Sequence, residues 1–110
     1  MATINAQKVS LAGLNPSFAN VAAGGDQFAN SGREVVHLQN TSLGALNVTI
    51  DSPVDCNQGF THDVVVSVPA ESERIIGPFS KPRFDDEGFV KLTYASHVAG
   101  DLKIAVIQVA

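Results

Sequence analysis

The chain has 110 residues, 45% of them hydrophobic and 16% charged, with a net charge of −4 and an isoelectric point near 5.1. One domain with one modest core fits that length, and an acidic chain with scattered cations lacks the basic footprint of a nucleic-acid binder. The single cysteine, Cys56, excludes an intrachain disulfide and suits a reducing compartment. The first ten residues carry no apolar leader pattern, and no run approaches a membrane span.

In chain order, Met1 to Ser31 reads as an extended N-terminal arm, with Lys8 and Asp26 its only charged side chains. Ile4 to Leu11 alternates as one strand would, placing Val9 and Leu11 on one face. Gly13 to Asn30 has little periodicity and is punctuated by Asn15-Pro16 and Gly24-Gly25. Two readings stay open for this arm: a surface loop, or a segment ordered against a neighbouring subunit.

The β domain spans residues 32–110. Glu34 to Asn40 reads as a strand with Val36 and Leu38 on one face and Val35 and His37 on the other, and Leu46 to Asp51 as the next, the two forming a hairpin. Ser52 to Asp63 is a polar excursion. Val64, Val66 and Val68 alternate up to Pro69, a polar turn follows, and Arg74 to Ile76 continues as a second hairpin strand before Gly77-Pro78. Ser80 to Gly88 reads as a loop, Phe89 to Ala95 as a strand with Tyr94 inward, and Leu102 to Val109 as a strand that is apolar on both faces. The expected fold is all-β, an antiparallel sandwich or small jelly-roll-like barrel of about seven to eight strands with no helix.

No catalytic constellation emerges. Cys56 and His62 match no zinc spacing, and a thiol–imidazole pair would rest on sequence proximity alone. His37 is expected to point outward, and His97 lies near the last turn. Asp85-Asp86-Glu87-Gly88 lacks the order of a calcium loop and reads as a solvated turn, and every acid is expected in a turn or on an outer face. The chain is therefore expected to be neither an enzyme nor a holder of metal or cofactor. Arg33 stands where the arm meets the first core strand, where it could bond loop carbonyls, pair with an acid such as Asp85, or stay exposed. Arg74, Arg83 and Phe84 are of the types enriched at interfaces.

Three segments, GGDQFANSGREVVHLQNTSLGALNVTID, HDVVVSVPAESERIIGPF and RFDDEGFVKLTYAS, resemble a group of small β proteins encoded by tailed bacteriophages. The features that carry the resemblance fall on Gly24 to Arg33, Val68 to Ala70, Ile76 to Phe79 and Arg83 to Asp86. The resemblance implies a virion structural component, best matched by a capsid decoration (cement) protein. Such a protein sits on the head surface, bridges major capsid protein subunits and forms a homo-oligomer, commonly a trimer, without nucleic-acid or membrane partners. Candidate subunit or capsid contacts are Val9, Leu11, Phe18, Phe28, Arg33, Arg74, Arg83 and Phe84. The alternatives are a head–tail connector or tail component, and a carbohydrate-binding sandwich module. One Tyr and no Trp offer little aromatic platform for the last.

Overall fold

The computed structural model describes residues 1–53, 63–95 and 100–109. Alternation of apolar and polar side chains makes strands of most of this chain. They are β1 (Ala2–Thr3), β2 (Gln7–Lys8), β3 (Ala19–Asn20), β4 (Asp26–Ala29), β5 (Glu34–Asn40), β6 (Leu46–Ile50), β7 (Val64–Val68), β8 (Ser72–Ile76), β9 (Phe89–Tyr94) and β10 (Leu102–Gln108). A single helical turn, α1 (Lys81–Phe84), stands where no helix was expected. Pro82 near its start suits a first turn, which needs no amide donor there, and Phe84 anchors it in the core.

Two mixed sheets pack face to face as a β-sandwich. One runs β1-β4-β9-β6-β7; the other runs β2-β10-β5-β8, with β3 also on β10. Pairing is antiparallel except where β1 joins β4 and β2 joins β10, so the expected purely antiparallel fold gains two short parallel additions. Inward positions alternate strictly: Val36 and Leu38 on β5, Val48 and Ile50 on β6, Val90 and Leu92 on β9, Leu102, Ile104 and Val106 on β10. Phe79 packs on Phe28 and Phe84, with ring centroids 5.7 and 5.6 Å away, and closes one end.

Both expected hairpins are absent. β5 and β6 lie in opposite sheets, as do β7 and β8; β6 pairs with β7 and β9, and β5 with β8 and β10. Period-two alternation states which face of a strand is buried. It is equally satisfied by a neighbour in the same sheet and by one facing it across the core. The connections Thr41 to Ala45 and Pro69 to Glu71 are sandwich crossings.

Asn40, the last inward position of β5, holds both. Its Nδ2 donates to Gly44 O (2.9 Å), Val68 O (3.0 Å) and Pro69 O (3.1 Å), while Oδ1 accepts from Ser42 N (2.9 Å) and Ser42 Oγ (2.7 Å). Asn30 does the same at the other end: its Nδ2 donates to Phe79 O at 3.3 Å and its Oδ1 accepts from Gly32 N at 2.9 Å.

The N-terminal segment departs most from expectation. Ile4 to Leu11 is not one strand; β1 adds to the first sheet, β2 and β3 to the second, and Val9 and Leu11 lie beyond any strand. β4, expected to be part of a featureless arm, is a core strand whose Phe28 is fully buried. Ahead of it Gly25 has φ +96°, and a Cβ there would lie 2.5 Å from Leu92 O. Only glycine fits that turn.

Two substitutions test this account. Asn40→Ala takes the side-chain donor from Val68 O and Pro69 O and the acceptor from Ser42 N, and is expected to cost about 2–4 kcal/mol of unfolding free energy by urea denaturation. Gly25→Ala combines a disfavoured φ with a backbone clash and is expected to cost roughly 2 kcal/mol or more, whereas Gly44→Ala, with open space around it, stays near wild type.

Candidate functional site

The end of the sandwich where β5 begins and β10 finishes gathers the most chemistry. Glu34 takes the same inward parity as Val36, and its carboxylate is buried. It accepts from Ser31 N (2.7 Å), Ser31 Oγ (2.8 Å), Arg33 N (3.3 Å) and Gln108 Nε2 (2.9 Å). Burial pushes the carboxyl pKa up, but the bonds from Ser31, Gln108 and Arg33 outweigh it and hold it below the ordinary glutamate value. The expectation that every acid lies outside is thus overturned here, and again at Asp26. That buried carboxylate accepts from Tyr94 Oη at 2.7 Å and Ala22 N at 3.1 Å. Burial, then the bond to Asp26, drives the Tyr94 pKa far upward.

Above the Glu34 network lies a cavity of about 260 Å³ lined by Gly32, Arg33, Val35, Pro78 and Val109. Arg33 also borders a smaller one of about 160 Å³ with Lys8, Val9 and Gln108. Arg33 is exposed and takes no part in an ion pair among the described residues; Asp85 instead approaches Lys81, at 3.5 Å. Arg33 borders both: the first is walled mainly by apolar groups, the second by Lys8 and Gln108 beside Val9.

On the outer face of the second sheet, His37 Nε2 meets Glu73 Oε1 at 2.8 Å, Gln39 Nε2 donates to the same oxygen at 2.9 Å, and Phe18 packs edge-on to the imidazole at 4.9 Å. The bonds from Gln39 and His37 lower the Glu73 pKa. His37 points outward from β5, as expected, and is half-buried there, with Phe18 spent on this intramolecular contact.

The remaining candidates separate cleanly. Val9 is 44% exposed and Leu11 fully so, and they crown a loop whose base is closed by Gln7: Nε2 donates to Ser17 O and Oε1 accepts from Ser17 N, each at 2.8 Å. Arg74 is exposed, and its Nη1 donates to Glu73 O at 2.7 Å. The Arg83 guanidinium lies 4.8 Å from the centroid of the Phe84 ring. Phe28 and Phe84 do not belong on a contact surface: both are buried in the chain's own core. The Asp85-Asp86-Glu87 turn is only partly solvated, since Asp86 pairs with Lys91 at 2.9 Å.

No group of three His, Cys, Asp or Glu side chains among the described residues could hold a metal ion. Cys56, His62 and His97 lie outside the described residues. Sequence reasoning passed over Glu34, Asn40 and Asp26. Parity was the available signal for the first two, since both fall in step with Val36 and Leu38.

Opposite pH responses follow from two carboxylates. The Glu34 pKa is lowered on folding, so its stabilisation is present above the ordinary value of 4.5 and is lost as pH falls through the lower folded value. Glu34→Gln is expected to cost about 1.5–3 kcal/mol at neutral pH, with the gap to wild type closing in acid. Asp51 is raised by burial, then by Asp63 and Asp86, so its charge opposes folding once pH exceeds that raised value. Asp51→Asn is therefore expected to hold or increase stability at neutral pH. Urea melts across an acid-to-neutral pH series check both signs.

Compared with known families, curated proteins and solved structures, the chain finds no match.

Proposed function

We propose that this chain is a bacteriophage capsid decoration protein, binding the outer surface of the head and bridging major capsid protein subunits. The observation that carries the reading is the loop from Val9 to Phe18. It contains no charged residue, presents Leu11 fully to solvent with Val9 beside it, and is pinned at its base by the paired Gln7–Ser17 bonds. Exposed apolar side chains on a fixed, uncharged loop suit burial against another protein.

Strand order supports the same reading. The antiparallel portions of the two sheets, β3-β10-β5-β8 and β4-β9-β6-β7, follow the winding of an eight-stranded jelly roll, an architecture used by viral capsid domains. On this reading the sandwich is a rigid spacer and the loop is its foot on the shell. Many copies, each held weakly, then stabilise the head through multivalency.

The test is the composition of purified phage particles and the binding of the protein to empty heads. Many copies at regular positions on the capsid are expected, and absence from the particle would sink the reading. A single ring per particle would replace it with a connector role. Burying Leu11 stabilises the contact by about 2 kcal/mol, so Leu11→Ala is expected to weaken head binding roughly thirtyfold without altering the fold.

A further inference from the structure

The β-sandwich protects most of its edges. On one flank, the first sheet ends in the two-residue β1 and the second in the equally short β2 and β3. On the other flank the edge strands are β7 and β8. β8 carries Glu73 outward, while Arg74, paired in register with the buried Leu38, is an inward-pointing charge that is exposed at the margin. Short strands and inward charges are what keep edges from pairing with other chains. β7 has neither device. Its sequence, Val64-Val65-Val66-Ser67-Val68, bears no charge, no proline and no lysine, and among the described residues only β6 pairs with it.

Two further observations point outward from this strand. Val65, on the outer face, is 60% exposed. Val64 and Val66 face the core yet stay only half-buried, as does Ile76 across the gap on β8, so the described residues cover the apolar interior incompletely along this flank. Covering it calls for an extended apolar strand bonded to the edge of β7 that no described residue pairs with.

We infer that β7 is a self-pairing edge: the β7 strands of two copies of this chain join antiparallel across a two-fold axis at Val66, making one continuous sheet through both. The occupant is a second copy because β7 is complementary to itself. In this register Val66 faces Val66, Val64 faces Val68 and Val65 faces Ser67 of the second copy, so every opposed pair is apolar or uncharged and most are β-branched, which favours pairing. The same operation on β8 would set Arg74 against Arg74 or Glu73 against Glu73. An isologous pairing of this kind closes on itself and leaves no new edge. It does not depend on the capsid reading and is tested on the isolated protein.

The experiment is sedimentation velocity of the full chain at micromolar concentration, with circular dichroism to monitor the fold. Wild type is expected to sediment as a dimer. The exposed pair V65K/S67K sets like charges against each other across the axis and is expected to weaken dimerisation at least tenfold with the β signal unchanged. V65K/S67E sets opposite charges in the same places and is expected to restore the dimer. A wild type that stays monomeric, or a V65K/S67K protein that dimerises undiminished, overturns the proposal. Failure of V65K/S67E to recover overturns the antiparallel register on which it stands.

Discussion

Every time a strand leaves one sheet for the other, its backbone donors and acceptors lose the ladder that satisfied them, and burial makes that loss costly. This chain makes that crossing repeatedly, and two buried asparagines meet the demand. Asn40 ties the β5–β6 and β7–β8 crossings together at one end; Asn30 ties the β4–β5 crossing to the approach of α1 at the other. A side-chain amide can do this because it donates and accepts at once. The packing of the two sheets, and so the register of everything outside them, rests on these knots. Lys81 reinforces the second, its ammonium donating to Asn30 O at 2.8 Å.

The same feature explains which parts of the fold the sequence revealed. Strand positions from Glu34 onward were legible because period-two burial is written in residues such as Leu46, Val48 and Ile50. Partnership between strands was not, because Asn40-Thr41-Ser42-Leu43-Gly44 has the composition of a hairpin turn and of a crossing alike. The early strands escaped for a different reason. β1, β2 and β3 are two residues each, too short for any alternation, and they form only because β4 and β10 offer edges to join. β4 was hidden by Asp26, a charged residue whose burial depends on Tyr94, distant in sequence.

The candidate surfaces divide along the same line. For Phe28 and Phe84 the sequence offers an aromatic ring, and that alone does not distinguish a ring that closes a core from one that meets a neighbour. Val9 and Leu11 were drawn from an alternation that the structure dissolves, yet they remain exposed on a loop held by hydrogen bonds from Gln7. The polar groups of His37, Gln39 and Glu73 bond to one another, and among the described residues the most exposed large apolar side chains are Leu11 and Leu43 in loops, Ile75 opposite His37 on β8, and Val65 on β7.

β10 carries a consequence for how the protein is made. It follows all its partners in chain order, and the second sheet is built on it: β5 lies along one side, and β2 and β3 share the other. Those partners are synthesised long before it. While the ribosome is still translating, β5 has only β8 to pair with and the N-terminal segment has no place in that sheet. Contacts of such large sequence separation come late and slowly. Val36 and Leu38 of β5 therefore lack their β10 partners until that strand has been made, and the scarcity of charge that suits a buried surface gives little protection from aggregation in that interval.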